Sequence, residues 1–277
     1  MLGTYHFYLG SDEMKKICII GGDQRQIHAK RILEESFLVD TLGLFWGEKG
    51  SIDSSDILLL PVPTTKAGET VFAPFSDKKI YLKEIEAKFK NKLVFCYNFT
   101  PQTENFVDFS ALDSFALLNA VPTAEGAIKI AVENTLFTLW KSKILVIGYG
   151  RVGKILADRL RNLGAFVTVS ARSQKDFAVL DAFGFSYINT EKLQDGYLDY
   201  DIIFNTVDFT VLDRNTLKNC PCDLIIDLSS KGGFDLEFAK TLGITAIKAG
   251  GLPGKVAPKT AGEIIAGTVK EFTCFKI

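Results

Sequence analysis

Short runs of consecutive apolar residues alternate along this chain with segments whose apolar positions recur at helical spacing. Lys16–Ile20 is the first such run, and it ends in Gly21-Gly22. Ile27, Ala29, Ile32 and Leu33 then fall at roughly helical spacing. Leu42–Trp46, Asp56–Leu60 and Lys92–Tyr97 read as further strands, with helical patterns between them, notably Leu82–Phe89. The alternation predicts a first α/β layer domain with parallel strands over residues 14–121.

Asn119-Ala120-Val121-Pro122 breaks that rhythm. Pro122 suits the first position of a helix, and Ala124–Trp140 then reads as one long helix, so 122–140 is expected to link into a second domain over 122–256. Six strand patterns follow: Lys143–Ile147, Phe166–Ser170, Phe185–Ile188, Asp201–Asn205, Leu224–Asp227 and Thr245–Lys248. Six strands with intervening helices make a complete doubly wound dinucleotide fold. Pro258 opens a last helix, Lys259–Phe272, in a segment 257–277 expected to join the first domain. The fold class is therefore α/β, with two doubly wound Rossmann-like domains and an interdomain cleft.

Composition narrows the function. The 277 residues suit two domains, and 47% apolar with 23% charged residues allow a real core. A net charge of −1 with interspersed signs gives no footprint for nucleic acid or an anionic membrane. Apolar runs such as Ile57–Leu60 and Ile144–Ile147 fit buried strands and are too short to span a bilayer. Cys18, Cys96, Cys220, Cys222 and Cys274 show no paired spacing, which reads as reduced thiols of a cytoplasmic protein. Residues 1–13 lack the features of a secretion signal; a disordered tail or an upstream start before Met14 is expected there.

The glycine loop carries the chemistry. Lys143–Ile147 runs into Gly148-Tyr149-Gly150-Arg151-Val152-Gly153 and then into a helical pattern, the context a dinucleotide fingerprint requires. Gly148 allows the tight turn, Gly150 lets the backbone approach a pyrophosphate, and Gly153 allows helix to pack on strand. The helix N-terminus supplies amide donors and the positive end of a dipole. The next strand ends in Ser170-Ala171-Arg172-Ser173, without the acid that accepts the ribose 2′-hydroxyl of NAD. Arg172 would pair with a 2′-phosphate and Ser170 and Ser173 would donate to it, so the expected cofactor is NADP. Arg172 also fits a solvated surface position. Asn205, Thr206, Val207 and Ser229 close the fourth and fifth strands and are expected to face the nicotinamide half, although Thr206 and Ser229 equally suit ordinary turns.

Three further segments read as helix N-termini suited to a carboxylate-bearing ligand. They are Gly21-Gly22-Asp23 with Arg25, Pro122-Thr123-Ala124-Glu125-Gly126, and Ala257-Pro258-Lys259-Thr260-Ala261-Gly262. The first lacks a third glycine and carries Asp23, so it is not a second nucleotide site. The two histidines are His6 and His28, which removes histidine acid–base chemistry from the cofactor domain. No His, Cys and carboxylate cluster suggests a metal.

Gly21-Gly22-Asp23-Gln24-Arg25-Gln26, Asn119-Ala-Val-Pro-Thr-Ala-Glu125-Gly126, the glycine loop, Ala171-Arg172-Ser173 and Gly251-Leu-Pro-Gly-Lys-Val-Ala-Pro-Lys-Thr-Ala-Gly262 occur in that order. From about Met14 onward the chain closely resembles the A-subunit family of dipicolinate synthase. One departure is Asp-Leu-Ser-Ser-Lys231, where an alanine and an arginine are expected. The resemblance implies NADP-dependent oxidation of a dihydrodipicolinate-type precursor of the lysine pathway in the mother-cell cytoplasm during sporulation. It also implies a partner, the flavoprotein-like B-subunit of dipicolinate synthase, and leaves a homo-oligomer open. In that reaction Arg25 and Lys259 would clamp a dicarboxylate with help from Asn119, Thr123 and Thr260, and Glu125 is the candidate base, with Lys259 the other catalytic candidate. Two other functions fit the same residues: a dehydrogenase of the alanine or shikimate dehydrogenase type, and a non-catalytic NADP-sensing subunit.

Overall fold

A computed structural model describes residues 14–274 apart from 49, 67 and 195, so the expectations for residues 1–13 and for His6 lie outside the described residues. Two compact units divide the chain. One comprises the described parts of Met1–Leu112 and Gly262–Ile277, the other Asp113–Ala261.

The first unit is built on a five-stranded parallel sheet in the order β2-β1-β3-β4-β5. Its strands are β1 (Lys16–Ile20), β2 (Leu38–Leu42), β3 (Ile57–Leu59), β4 (Leu93–Cys96) and β5 (Phe106–Asp108), with helices α1 (Gln24–Leu33) and α2 (Leu82–Glu86) between them. Strand order reverses between β1 and β3, so the loop after β1 sits at the crevice where such sheets take ligands. Strands β1, β3 and β4 are buried along almost their whole length, as parallel strands covered on both faces must be. One face carries Cys18, Ile20, Leu58, Leu60, Val94 and Cys96 against Leu82, Ile85 and Phe89. Burial pushes the Cys18 and Cys96 thiols up to about 12, so both act as core side chains.

The second unit holds six parallel strands in the order β11-β10-β9-β6-β7-β8. It begins with helix α3 (Asp113–Glu133), followed by β6 (Lys143–Ile147), α4 (Arg151–Asn162), β7 (Phe166–Ala171), α5 (Gln174–Ala182) and β8 (Ser186–Asn189). The second half runs β9 (Ile202–Asn205), α6 (Arg214–Lys218), β10 (Leu224–Asp227), α7 (Leu236–Thr241), β11 (Thr245–Lys248) and α8 (Leu252–Val256). Ile144 and Val146 face one core while Leu145 and Ile147 face the other, which is why β6 reads as a continuous apolar run. Reversal here falls between β6 and β9, which puts the glycine loop at the switch point.

Three expectations need correction. The strand expected at Leu42–Trp46 is Leu38–Leu42, because the half-exposed edge strand carries Asp40 and Thr41 and hides its apolar pattern. Gly43 and Gly47 then turn the chain at positive φ, and the Glu48 carboxylate accepts from the Leu44 amide at 2.8 Å.

The helix expected to open at Pro122 and run to Trp140 instead spans Asp113–Glu133, with Pro122 inside it. It ends where Asn134 Nδ2 and Thr135 Oγ1 donate to the carbonyls of Ile130 and Ala131. The apolar residues beyond, including the fully exposed Leu136, belong to a turn. By length and composition α3 could cross a membrane, yet Ala124, Ala127 and Ala131 are wholly buried in the second core.

The unit boundaries follow. They fall at 112/113 and 261/262 rather than 121/122 and 256/257, since α3 starts nine residues earlier than its proline. The last helix, α9 (Pro258–Cys274), does begin at Pro258. From Gly262 onward it packs in the first unit, where a Cβ on Gly262 would stand 2.6 Å from the Arg25 carbonyl and 2.7 Å from His28 Cβ.

Candidate cofactor and substrate site

The glycine loop is fixed by its neighbours. Gly148 has φ +97, and its amide donates to the Ser170 carbonyl at 3.0 Å. A Cβ on Gly148 would meet Val207 Cγ1 at 2.6 Å and Thr206 Oγ1 at 2.7 Å. Thr206 in turn donates from its amide and its hydroxyl to the Ile147 carbonyl, at 3.0 and 2.8 Å. Thr206 and Val207 therefore brace the turn from β9.

Gly150 is different. It is the N-cap residue of α4 with φ −79 and ψ −164, a conformation open to any residue, and no atom lies within 4 Å of a would-be Cβ. No side chain caps the helix at this end. The fold has no need of a glycine there, whereas a pyrophosphate lying against the exposed α4 amides does. Arg151, the next residue, is half-exposed and pairs with Asp113 Oδ1 at 3.0 Å. Tyr149 lies beneath the Lys154 ammonium, 5.0 Å from the ring centre, and Val152 is half-buried.

The end of β7 meets part of the expectation. Ala171 is buried and Arg172 is exposed, with its guanidinium 4.8 Å from the centre of the Phe209 ring. No carboxylate stands at 170–173. Ser170, however, is not a free donor: it is fully buried, with its Oγ accepting from Thr190 Oγ1 at 3.1 Å and facing the Gly148 amide at 3.4 Å. The side chain at that position points into the sheet's core because alternate residues of a strand face opposite ways. Ser173 caps α5, accepting from the Asp176 amide at 3.0 Å and donating to Asp176 Oδ2 at 2.7 Å. Of the three residues expected at a 2′-phosphate, Arg172 is the one with an exposed polar group not held in a hydrogen bond: the Ser170 hydroxyl is buried and the Ser173 hydroxyl is spent on Asp176.

At the β9 and β10 ends the expected residues are buried in a network. Asn205 Nδ2 donates to the Val207 carbonyl at 2.9 Å and to Asp227 Oδ1 at 2.8 Å, and Ser229 Oγ donates to the same oxygen at 2.6 Å. Gly233 closes over this group, where a Cβ would stand 2.1 Å from Asn205 Nδ2. Asp227 and Lys248, whose side chains pair at 2.9 Å, were visible in the sequence only as the last residues of two strands.

The substrate candidates are dispersed in role. Arg25 is buried and grips its own N-cap residue Asp23 in a fork, Nε to Oδ1 and Nη2 to Oδ2 both at 2.9 Å. Asp23 thus occupies the α1 N-terminus and neutralises part of the arginine, while Nη1 lies outside the pair. Asn119 and Thr123 sit within α3, and the Thr123 hydroxyl donates to the Asn119 carbonyl at 2.8 Å, so neither stands at a helix start. Glu125, the candidate base expected at a helix start, is an exposed residue of α3 that pairs with Arg159 at 3.3 Å. Arg159 lies about 12 Å along α4 from its N-terminal end, by 1.5 Å per residue, which takes Glu125 away from the glycine loop. Lys259 and Thr260 are exposed in the first turn of α9. No group of three or more potential metal ligands occurs among the described residues.

Two of the sequence motifs meet directly. A Cβ on Gly126 of α3 would stand 3.0 Å from Leu252 Cβ and 3.1 Å from Val256 Cγ2 of α8. The family model for the N-terminal domain of the dipicolinate synthase A-subunit matches residues 16–118. The dipicolinate synthase A-subunit of Bacillus subtilis (strain 168) is 34% identical over 281 residues, covering 92% of this chain and 95% of the relative.

The chain belongs to the dipicolinate synthase A-subunit family.

The crystal structure of the dipicolinate synthase A-subunit from Bacillus halodurans superposes with a TM-score of 0.84 at 31% identity, covering 93% of this chain and 97% of that one. D-lactate dehydrogenase from Escherichia coli matches with a TM-score of 0.60 at 13% identity over 93% and 96% of the two chains, which shows the fold alone. Membership in the dipicolinate synthase A-subunit family thus rests on 92% of the chain, and the fold is one it shares with D-lactate dehydrogenase.

Proposed function

We propose that this chain is the NADP-dependent oxidoreductase subunit of a dipicolinate synthase. It would oxidise a dihydrodipicolinate-type dicarboxylate of the lysine pathway to the aromatic pyridine dicarboxylate, in the mother-cell cytoplasm of a sporulating bacterium. The observation that carries the cofactor reading is Gly150, a glycine for which the fold has no use and a close-lying pyrophosphate does. NADP, when bound, accepts a hydride at nicotinamide C4, and the ring loses one further proton as it becomes aromatic.

The chain's own residues would bind and orient. The α4 amides receive the pyrophosphate, and Thr206 and Val207 hold the turn that presents them. Arg172 pairs with the 2′-phosphate, in a strand end free of the carboxylate that would repel it. Arg25 and Lys259 supply cations for the two substrate carboxylates, with Thr260 as a hydroxyl donor. The flavoprotein-like B-subunit would be the partner; that the relatives are named for one lettered part of a synthase supports a second component.

The deciding experiment is an NADP-coupled assay with enzymatically generated dihydrodipicolinate precursor, following dipicolinate absorbance with and without the second component. Dipicolinate formation matched by NADPH release is expected. Protein that binds NADPH but never turns over in either condition would instead be a nucleotide sensor.

A further inference from the structure

The C-terminal edge of the second sheet carries a polar group that the cofactor reading leaves unused. Asp227, the last residue of β10, has a fully buried side chain (0% exposed). Its Oδ1 accepts from Asn205 Nδ2 at 2.8 Å, from the Ser229 amide at 3.0 Å and from Ser229 Oγ at 2.6 Å, and its Oδ2 accepts from the Gly233 amide at 3.1 Å. A carboxylate offers about four lone-pair sites. The neutral donors crowd Oδ1 and leave one lone pair of Oδ2 open. Burial pushes the Asp227 carboxyl up, but hydrogen bonds from Ser229, Lys248 and Asn205 outweigh this and hold it below the usual carboxylate range, so it is an anion at neutral pH.

Lys248 arrives as a fifth donor. It ends β11, and its Nζ lies 2.9 Å from Asp227 Oδ2 and 3.2 Å from Ser229 Oγ. Among the described residues those are its two partners, which leaves one of three ammonium protons uncommitted, and 34% of the side chain is exposed. Lys248 is the charged donor to this buried anion, and the two bonds that neutralise Asp227 also fix the direction of the ammonium. It is pinned in place and keeps a proton to give.

Its position fits that use. All six strands are parallel, so Lys248 shares the sheet edge with the glycine loop. It lies three strands from β6, about 14 Å at the usual strand spacing, on the side opposite Arg172 and β7. A dinucleotide with its adenosine over β7 and its pyrophosphate at the α4 N-terminus extends its nicotinamide over the β9–β11 half.

We propose that Lys248, held by Asp227 and Ser229, anchors a carboxylate of the substrate beside the nicotinamide. The assignment rests on the NADP reading above and adds a substrate contact inside the cofactor-binding unit. A charge-assisted hydrogen bond of this kind is strong and short only when the ammonium is pre-oriented, which the pair with Asp227 provides.

Calorimetric titration of the full chain with dipicolinate, with and without saturating NADP, tests it directly. Lys248→Met should weaken dipicolinate binding at least 30-fold and leave NADPH affinity nearly unchanged; its melting midpoint should fall, because the buried Asp227 carboxylate loses its counter-charge, so both titrations are run well below that midpoint. Lys248→Arg should return to within about fivefold of the parent. Unchanged dipicolinate affinity in Lys248→Met overturns the proposal. So does a parallel loss of NADPH and dipicolinate binding in both variants, or a parent protein that binds NADPH but no dipicolinate. A parent that binds dipicolinate but no NADPH would overturn the cofactor reading, while the nucleotide-free titrations still decide the role of Lys248.

Discussion

The carbonyl oxygen of Gly148 stands 2.1 Å from the point where a Cβ on Gly153 would be. No side chain fits between them, so Gly153 is required by the packing of α4 on β6. Gly150, between the two, faces open space at an ordinary backbone conformation. One glycine of the motif is required by the fold, and the other is the one the proposed cofactor would use.

Substitution should separate the two. Gly153→Ala is expected to cost about 1–3 kcal/mol through overpacking, read as a lowered melting temperature. Gly150→Ala should cost about 1 kcal/mol or less as a poorer N-cap, yet weaken NADPH binding tenfold or more. Wild-type NADPH affinity in a folded Gly150→Ala protein would remove the pyrophosphate from this loop.

Gly262 plays the part of Gly153 in the first unit, where α9 lies on the backbone of α1. Gly262→Ala should destabilise the protein by about 1–3 kcal/mol in chemical denaturation, since the nearest atom is the Arg25 carbonyl at 2.6 Å and cannot yield as a side chain would. A neutral effect would mean that α9 shifts freely.

Arg25 is buried and paired with Asp23 through one edge of its guanidinium. Asp23 also caps α1 by accepting from the backbone amide of residue 25, a bond that survives removal of the arginine side chain. Arg25→Ala should therefore fold, raise the substrate KM at least tenfold and leave the NADPH Kd unchanged. Equal losses for both ligands in steady-state and binding assays would take Arg25 out of the substrate site.

The Asp227 carboxyl titrates below its unfolded value of about 3.9. Its contribution to stability is thus fully present above about pH 4 and is lost as pH falls through the lower, folded value. Asp227→Asn should melt below the parent at pH 7, and the gap should narrow as pH falls below about 4. A gap that stays constant over that fall would show that the charge of Asp227 does not stabilise the fold.

Much of the second sheet was legible in sequence. β6 and β10 fall on the expected residues because strands buried on both faces leave unbroken apolar runs. The three-residue edge strand β5 was not, since it is short and only half-buried. A proline inside α3 read as a helix start because its local preference says nothing of the turn that precedes it. Within the site, the glycine loop was legible because it lies between a strand and a helix, where Gly148 and Gly153 answer backbone constraints. The orientation of Ser170 and the meeting of Asp227 with Lys248 were not. The two strand ends are 21 residues apart in the chain and adjacent only through the register of β10 on β11.

Cofactor preference is the property most directly open to measurement. Titration of the intact chain with NADPH and NADH, followed by nucleotide fluorescence, should give NADPH at least a tenfold tighter Kd, about 1.4 kcal/mol. Arg172→Ala should remove most of that difference while changing the NADH Kd little. Equal affinity for the two nucleotides in the parent protein, or tighter binding of NADH, would contradict the account.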